Sequence, residues 1–494
     1  MQAIVINPRD CVAVALEDLK AGTEVKLPQG AVILQEDITR GHKFALRDLK
    51  AGEGVIKYGF PIGYAKQDIK KGFHVHTQNV RTGLSGKREY RYDKVPAAKL
   101  PSSDLTFEGY ERADGVVGIR NELWILPTVF CVNRVSQALA DYAKSRLGAF
   151  PHVEDALALT HPFGCSQMGE DQETTRRLLG ALSRHQNAGA VLVVGLGCEN
   201  SNIGVMKDYL DASDPRIRFL NCQDVEDELE AGKALVDELL AYADKARRST
   251  QPLSKLRIGL KCGGSDGLSG ITANPLIGRV SDLVAGSGGT SVMTEVPEMF
   301  GAEQLLMNRA RDEGIFQKTV ELINNFKGYF ESHGETVSEN PSPGNKAGGI
   351  TTLEDKSLGC VQKGGTAEVS GVLRYTERLK TPGLNLLQAP GNDGVSCTAL
   401  AAAGVDLILF STGRGTPFAT VVPTLKISTN SALWEKKGGK WIDFNAGVLA
   451  EGADPQEQAQ LLLKKICAVA SGERSVSEER GFHEVVIWKD GVTL

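Results

Sequence analysis

Apolar residues along this chain come in short runs that break off at glycine-rich polar turns, and the runs change character near residue 80. Up to Asn79 they are β-branched and brief (AIVIN, CVAVAL, AVILQ, GVIKYG), separated by Ala-Gly, Lys-Gly and Gly-Phe-Pro turn signals, which predicts a small β-rich module over 1–80. Three phrases, DLKAGTEVKL from Asp18, DLKAGEGVIKYG from Asp48 and DIKKGFHVHT from Asp68, repeat one turn that feeds a strand. His74 and His76 alternate on the last strand and so share a face, and His42 follows Gly41 nearby. Such a face suits a metal or an anionic substrate, although a solvated strand also tolerates histidine. Residues 81–108, charged and rich in Gly, Pro and Ser, read as a linker.

Beyond it the pattern alternates. Strand-like runs that end in polar turns are followed by segments of helical period: Leu123–Val132, ALALTHPFGCSQMG, AGAVLVVGLGCENSN, LRIGLKCGGSDGLSG, LNLLQAPGND and VDLILFSTGRGTP. This layout predicts an α/β protein whose sheets are mainly parallel and doubly wound, in two domains over 109–250 and 251–494. Ligands of such sheets bind at the carboxyl ends of the strands, so the residues there become the candidates. Cys165 and Cys198 each follow a strand and could lie close together; Cys262 repeats the layout. Arg414 with its neighbouring hydroxyls suits a carboxylate clamp, Asn392 and Asp393 sit at another strand end, and Glu199 and Asp266 add carboxylates. Glu339–Cys360 (ENPSPGNKAGGITTLEDKSLGC) lacks apolar periodicity and reads as a long site-lining loop, with Asn345, Lys346, Thr351 and Thr352 as polar groups for a ligand. None of the glycine turns has the spacing of a dinucleotide or P-loop motif.

Charge and cysteine usage narrow the partners. A net charge of -5 over 494 residues offers no basic stripe for nucleic acid, and the longest apolar run, 188–196, is too short to span a bilayer. The N-terminus has no cationic stretch followed by an apolar one, so a cytoplasmic protein is expected. Nine cysteines, an odd number at irregular spacing, read as thiols or ligands and not as a disulfide framework.

The stretches GHKFAL at Gly41, HPFGCSQ at His161, GLGCEN at Gly195, CGGSDGLSGITANP at Cys262, TEVPEMFGAEQ at Thr294, the segment from Glu339 and STGRGTP at Ser411 together resemble the galactarate/altronate dehydratase family, nearly end to end. The resemblance implies that the first module is a β-clip of the SAF type. It implies loss of water from D-altronate to give 2-dehydro-3-deoxy-D-gluconate, and a need for Fe2+ with Mn2+ as a possible substitute. Removal of a proton next to a carboxylate needs stabilisation of the ene-diolate, a base and an acid. On that footing His42, His74 and His76 are the expected metal face, Lys346 or a histidine the base, Glu199 or Asp266 the acid or orienter, and Arg414 the carboxylate holder. A competing arrangement puts a [4Fe-4S] cluster on Cys165, Cys198 and Cys262. Galactarate or a sulfonated hydroxy acid as substrate, and a non-catalytic sugar-acid-binding protein, are the alternatives. A small sugar acid is the expected partner, and a homo-oligomer stays open.

Overall fold

The computed structural model describes residues 2–494. Its N-terminal module is built from short antiparallel strands: Ala3–Ile4, Val12–Ala15, Lys43–Ala45 and His74–Val75 form one sheet, Gly54–Lys57, Phe60–Ala65 and Val80–Arg81 a second, and Glu24–Leu27 with Gly30–Ile33 a hairpin. The repeated turn occurs four times, not three. DITRG from Asp37 is the copy that the looser sequence match hides, and Gly22, Gly41, Gly52 and Gly72 all adopt a φ of +82° or +83°. The copies pair reciprocally: Arg40 N donates to Asp18 and Ala21 N to Asp37, at 2.8 and 2.9 Å, while Lys71 N donates to Asp48 and Ala51 N to Asp68. Each aspartate thus closes its partner's turn. The fourth copy delivers Gly41 and His42 to the far side of the module.

Residues 84–105 contain no regular secondary structure, yet they do not hang free. The Tyr90 hydroxyl donates to Glu303 (2.7 Å) and the Tyr92 hydroxyl to the Ala310 carbonyl (2.6 Å), so this connector is strapped along the C-terminal part. Strand Thr106–Glu111 then leads into the second part, and Ser249–Pro252, paired antiparallel with it, leads out.

Between them lies a four-stranded parallel sheet in the spatial order Ala156–Ala158, Glu122–Pro127, Ala188–Gly195, Ile217–Asn221. Helices Asn133–Arg146 and Glu228–Ala243 cover one face, and Gly169–Ser183 covers the other. The C-terminal sheet has seven parallel strands, ordered Val369–Leu373, Gly383–Leu387, Thr290–Met293, Arg257–Cys262, Leu407–Thr412, Thr424–Ser428, Phe444–Asn445. Chain order reverses between Arg257–Cys262 and Leu407–Thr412, so the helices leave in opposite directions there and a crevice opens at the carboxyl ends. Central strands such as Ala188–Gly195 and Leu407–Thr412 are buried along their whole length, as a parallel sheet covered on both faces requires. Helix Gly169–Ser183 packs Leu178, Leu179 and Leu182 into the same apolar cluster as Leu400 and Ala401 of helix Asp393–Ala403, which joins the two sheets through one core. Among the described residues no helix is long and apolar enough to cross a membrane.

The segment from Glu339 differs from the expected loop. It folds into two short capped helices, Pro343–Ala347 and Leu353–Cys360, the second buried throughout. Ser342 and Asn345 form a reciprocal capping box, and the Thr352 hydroxyl accepts from Asp355 N. Caps of this kind leave no mark in hydrophobic periodicity, and the polar side chains are buried because distant lysines meet them.

Candidate active site

The segment 339–360 is wedged between the N-terminal module and the switch point of the seven-stranded sheet. On the module side, Asp355 lies fully buried between two buried lysines, with Lys43 Nζ at 2.8 Å and Lys57 Nζ at 2.9 Å from its two oxygens. Burial pushes the carboxyl pKa up, but the two ammonium groups outweigh it and hold Asp355 well below the carboxylate range. Lys43 is lowered to about 8 by burial and by the neighbouring Lys57 charge, against the pull of Asp355. Lys43 Nζ also donates to the Gly349 carbonyl (2.7 Å), and the Thr352 hydroxyl donates to the Ile62 carbonyl.

Beside this pair the three histidines converge. Ring centroids of His42, His74 and His76 stand 4.9 to 5.5 Å apart. His42 Nε2 donates to the Ala347 carbonyl (3.3 Å), which leaves its Nδ1 to accept from His74 Nε2 at 3.0 Å; Gln78 donates to His74 Nδ1. His76 Nδ1 meets the Thr351 hydroxyl at 3.0 Å. Burial, reinforced by Lys43 and by the other imidazoles, depresses His74 to about 4 and His76 to about 3, so both rings are neutral near pH 7. Neutral imidazole is the form that binds metal. The donor chemistry fits a divalent iron: the neutral rings of His42 and His74 turn two nitrogens toward each other, 3.0 Å apart, and these would be its ligands. His76 lies outside that pair, because the three nitrogens do not all fall within 4.8 Å of one another.

On the sheet side a cleft of about 340 Å³ opens at the switch point, lined by Arg40, Gly41, Asp266, Gly348, Arg414 and Asn430. Three backbones meet here with no room for side chains: a Cβ on Gly267 would stand 2.0 Å from the Gly41 carbonyl oxygen, and one on Gly349 would stand 2.2 Å from it. Asp266 accepts from the hydroxyls of Thr429 (2.9 Å) and Ser269 (3.0 Å) and from Asn430 Nδ2 (3.2 Å). Burial raises its pKa, and these hydrogen bonds with the Arg40 charge restrain the rise. Arg414 is exposed and donates only to the Gly344 carbonyl, at 3.2 Å, so most of its fork is free for an anion.

The remaining expected residues scatter around this centre. Lys346 sits on the last turn of helix Pro343–Ala347, just before Gly348 of the cleft. Asn345 is buried, bonded to the Ser265 carbonyl and to Lys356. Thr351 and Thr352 hold the docking surface rather than the cleft. Asn392 caps helix Asp393–Ala403, and Asp393 pairs with Lys261 at 2.8 Å. Glu199 lies in the second part, where its carboxylate accepts from Thr128 and from the backbone of Leu196 and Gly197. Cys262 does not join Cys165 and Cys198, which stand at the edge of the other sheet. Its buried sulfur lies 3.4 Å from that of Cys360, 3.0 Å from Glu298 and 2.8 Å from Lys363.

Sequence reading passed over Arg40, Lys43, Lys57, Glu295, Glu298, Lys356 and Lys363. The available signal was a lysine inside an apolar strand run, as in HKFAL and GVIKYG, which has no solvated face to turn to. Among the described residues, Cys262, Glu298 and Cys360 are the one set of three potential ligands whose atoms all lie within 4.8 Å. Three lysines (Lys261, Lys356, Lys363) already balance three acids (Glu295, Glu298, Asp393) around it. Such a closed, neutral network suits positioning better than it suits an added cation.

Comparison with known proteins matches three family profiles in succession: the altronate/galactarate dehydratase SAF domain over 1–83, the second domain of D-galactarate dehydratase/altronate hydrolase over 109–244, and the D-galactarate/altronate dehydratase C-terminal region over 253–493. The chain is 52% identical to altronate dehydratase of Escherichia coli over the full length of both proteins, and 50% identical to that of Bacillus subtilis over 99% of each. It is 33% identical to the L-threo-forming galactarate dehydratase of Escherichia coli, over 97% of this chain and 95% of that one.

Proposed function

Because this chain belongs to the galactarate/altronate dehydratase family, whose members are sugar-acid hydro-lyases, we propose that it removes water from D-altronate to give 2-dehydro-3-deoxy-D-gluconate in the switch-point cleft. The observation that carries this reading is the cleft itself: two arginines and a carboxyl of raised pKa beside a trio of neutral imidazoles. Arg40 and Arg414 hold the substrate carboxylate and disperse the charge that builds on it as the C2 proton leaves. Lys346 takes that proton. Asp266, kept easy to protonate by burial, gives a proton to the departing C3 hydroxyl. The enol then tautomerises to the 2-keto acid. His42 and His74 are the residues that would hold Fe2+, or Mn2+ in its place, with His76 beside them outside the pair, and such an ion would supply Lewis-acid stabilisation of the ene-diolate. Lys43, Lys57 and Asp355 touch no substrate; they fix the histidine face against the cleft. Free thiols at all nine cysteines suit the cytoplasm that goes with this reading.

The test is anaerobic turnover of D-altronate by the purified chain with and without ferrous iron, following the 2-keto-3-deoxy product, with galactarate in parallel. Iron-dependent product from altronate is expected. Product from galactarate alone would move the substrate within the family, and no product from either acid would end the reading.

A further inference from the structure

The carboxyl edge of the four-stranded sheet holds a cluster of thiols that the dehydration does not use. Three neighbouring strands, Ala156–Ala158, Glu122–Pro127 and Ala188–Gly195, run into turns that carry Cys165, Cys131 and Cys198 respectively. Chain order reverses between Glu122–Pro127 and Ala188–Gly195, so this sheet too has a switch-point crevice, and two of the three cysteines flank it.

The turns are laced together. Phe130 N donates to the Phe163 carbonyl (2.9 Å) and Asn133 Nδ2 to the His161 carbonyl (2.9 Å), which ties the Cys131 turn to the Cys165 turn. Ser201 N donates to the Gly164 carbonyl (3.2 Å), and both Ser166 N (3.1 Å) and the Cys165 thiol (3.3 Å) donate to Asn200 Oδ1, which ties the Cys165 turn to the Cys198 turn. Gly164 makes the crossing possible: at φ +103° a Cβ would stand 1.9 Å from the Thr128 carbonyl oxygen. Cys131 and Cys198 are exposed and Cys165 is half-buried, and none is in a disulfide.

The surroundings favour negative charge. Helices Asn133–Arg146 and Gly169–Ser183 both begin at this edge and point their N-termini toward it. The Arg176 guanidinium donates to the Asn200 carbonyl (2.6 Å) and to Ser201 (3.3 Å), on the Cys198 turn. Of the carboxylates at this edge, Glu199 is turned to its own backbone and to Thr128, Asp171 accepts from the backbone of Asp490 and Gly491, and Glu170 pairs with Arg177. A single ion is not what the thiols await, since no three of them bring their sulfurs within 4.8 Å. A cubane cluster spreads its ligand sulfurs more widely than one ion does. Cys222 follows the fourth strand, Ile217–Asn221, one strand beyond the two that flank the crevice.

We propose that Cys131, Cys165 and Cys198 bind a [4Fe-4S] cluster through three thiolates, leaving one iron without a protein ligand. Each thiol releases its proton as it ligates. The assignment does not rest on the choice of sugar acid.

The full-length protein is purified without oxygen, treated with equal amounts of ferric and ferrous iron and with sulfide, desalted, and assayed for iron, acid-labile sulfide, visible absorption and the electron paramagnetic resonance of the reduced form. About four acid-labile sulfides per chain, with the iron that accompanies them, are expected, and a near-complete loss of sulfide and visible absorption in Cys131→Ser, Cys165→Ser and Cys198→Ser. Cys222→Ser and Cys262→Ser keep the full signal. Because a serine variant can misfold, thiol alkylation mapped on the unmutated protein gives a second reading: Cys131, Cys165 and Cys198 are protected only after reconstitution. Iron bound without sulfide, no cluster in the unmutated protein, or an undiminished cluster in the triple serine variant would overturn the proposal. A cluster in a chain that fails to turn over altronate leaves it standing and removes the functional reading alone.

Discussion

Asp355 shows how strongly one side chain can commit a site. Both of its oxygens are occupied by buried ammonium groups from strands that belong to a different part of the chain. Asp355→Asn strands Lys43 and Lys57 with one charge partner removed, and breaking a buried pair in this way costs about 3–5 kcal/mol. The expected outcome is a lower thermal midpoint together with faster proteolysis near residue 83, as the N-terminal module undocks. Arg414 is the opposite case, an exposed side chain with little internal work. Arg414→Ala is expected to lower kcat/KM for altronate by about 10- to 100-fold, the worth of a charge-assisted hydrogen-bonding pair, while the thermal midpoint stays where it was. At this scale the sequence exposed what local chemistry exposes. Arg414 and Asp266 stand on polar turns at strand ends and are visible there; they do line one cleft. Lys43 and Lys57 were marked only by their place inside apolar strand runs, and their role was hidden because their partner, Asp355, lies some 300 positions away.

At the scale of elements, the histidine strand and the glycine turns carry the consequences. His74 and His76 take up protons in the folded protein only near about 4 and about 3, against an ordinary 6.5. Between those values the unfolded chain binds more protons than the folded one, so stability is fully present above about pH 6.5 and drains away as pH falls toward the folded values. A His74→Gln/His76→Gln double variant is expected to lose less of its thermal midpoint than the parent between about pH 7.5 and about pH 5. Gly267→Ala forces two backbones apart at the edge of the cleft. A displacement of this kind is expected to lower kcat/KM about 100-fold, with far-ultraviolet circular dichroism unchanged. The alternation of strands and helices was plain in the sequence because parallel strands buried on both faces leave continuous apolar runs. The two helices of 339–360 were not, since their helical state is fixed by caps and by contacts from outside the segment. The repeated turn was partly legible: its Asp-apolar-x-x-Gly core survives in all four copies, but the lysine that flags three of them is Thr39 in the copy that matters to the cleft.

At the scale of the molecule, the connector 84–105 behaves as a strap. With Tyr90, Tyr92 and Lys94 bonded to the C-terminal part, a protease site introduced into it is expected to give a nicked chain that still elutes as one species on size exclusion. The inbound and outbound strands of the second part, Thr106–Glu111 and Ser249–Pro252, run side by side. A unit joined to its host through one such doorway has the grammar of a parenthesis: it opens and closes at one point of the sentence. The first and third parts share the switch-point cleft, and the thiol-bearing part is inserted through one pair of strands and held by a shared core. That part enters and leaves by one door, yet it is anchored once inside: the shared apolar core and buried pairs such as Arg120–Glu478 and Gln186–Asp406 bind its history to that of the C-terminal part.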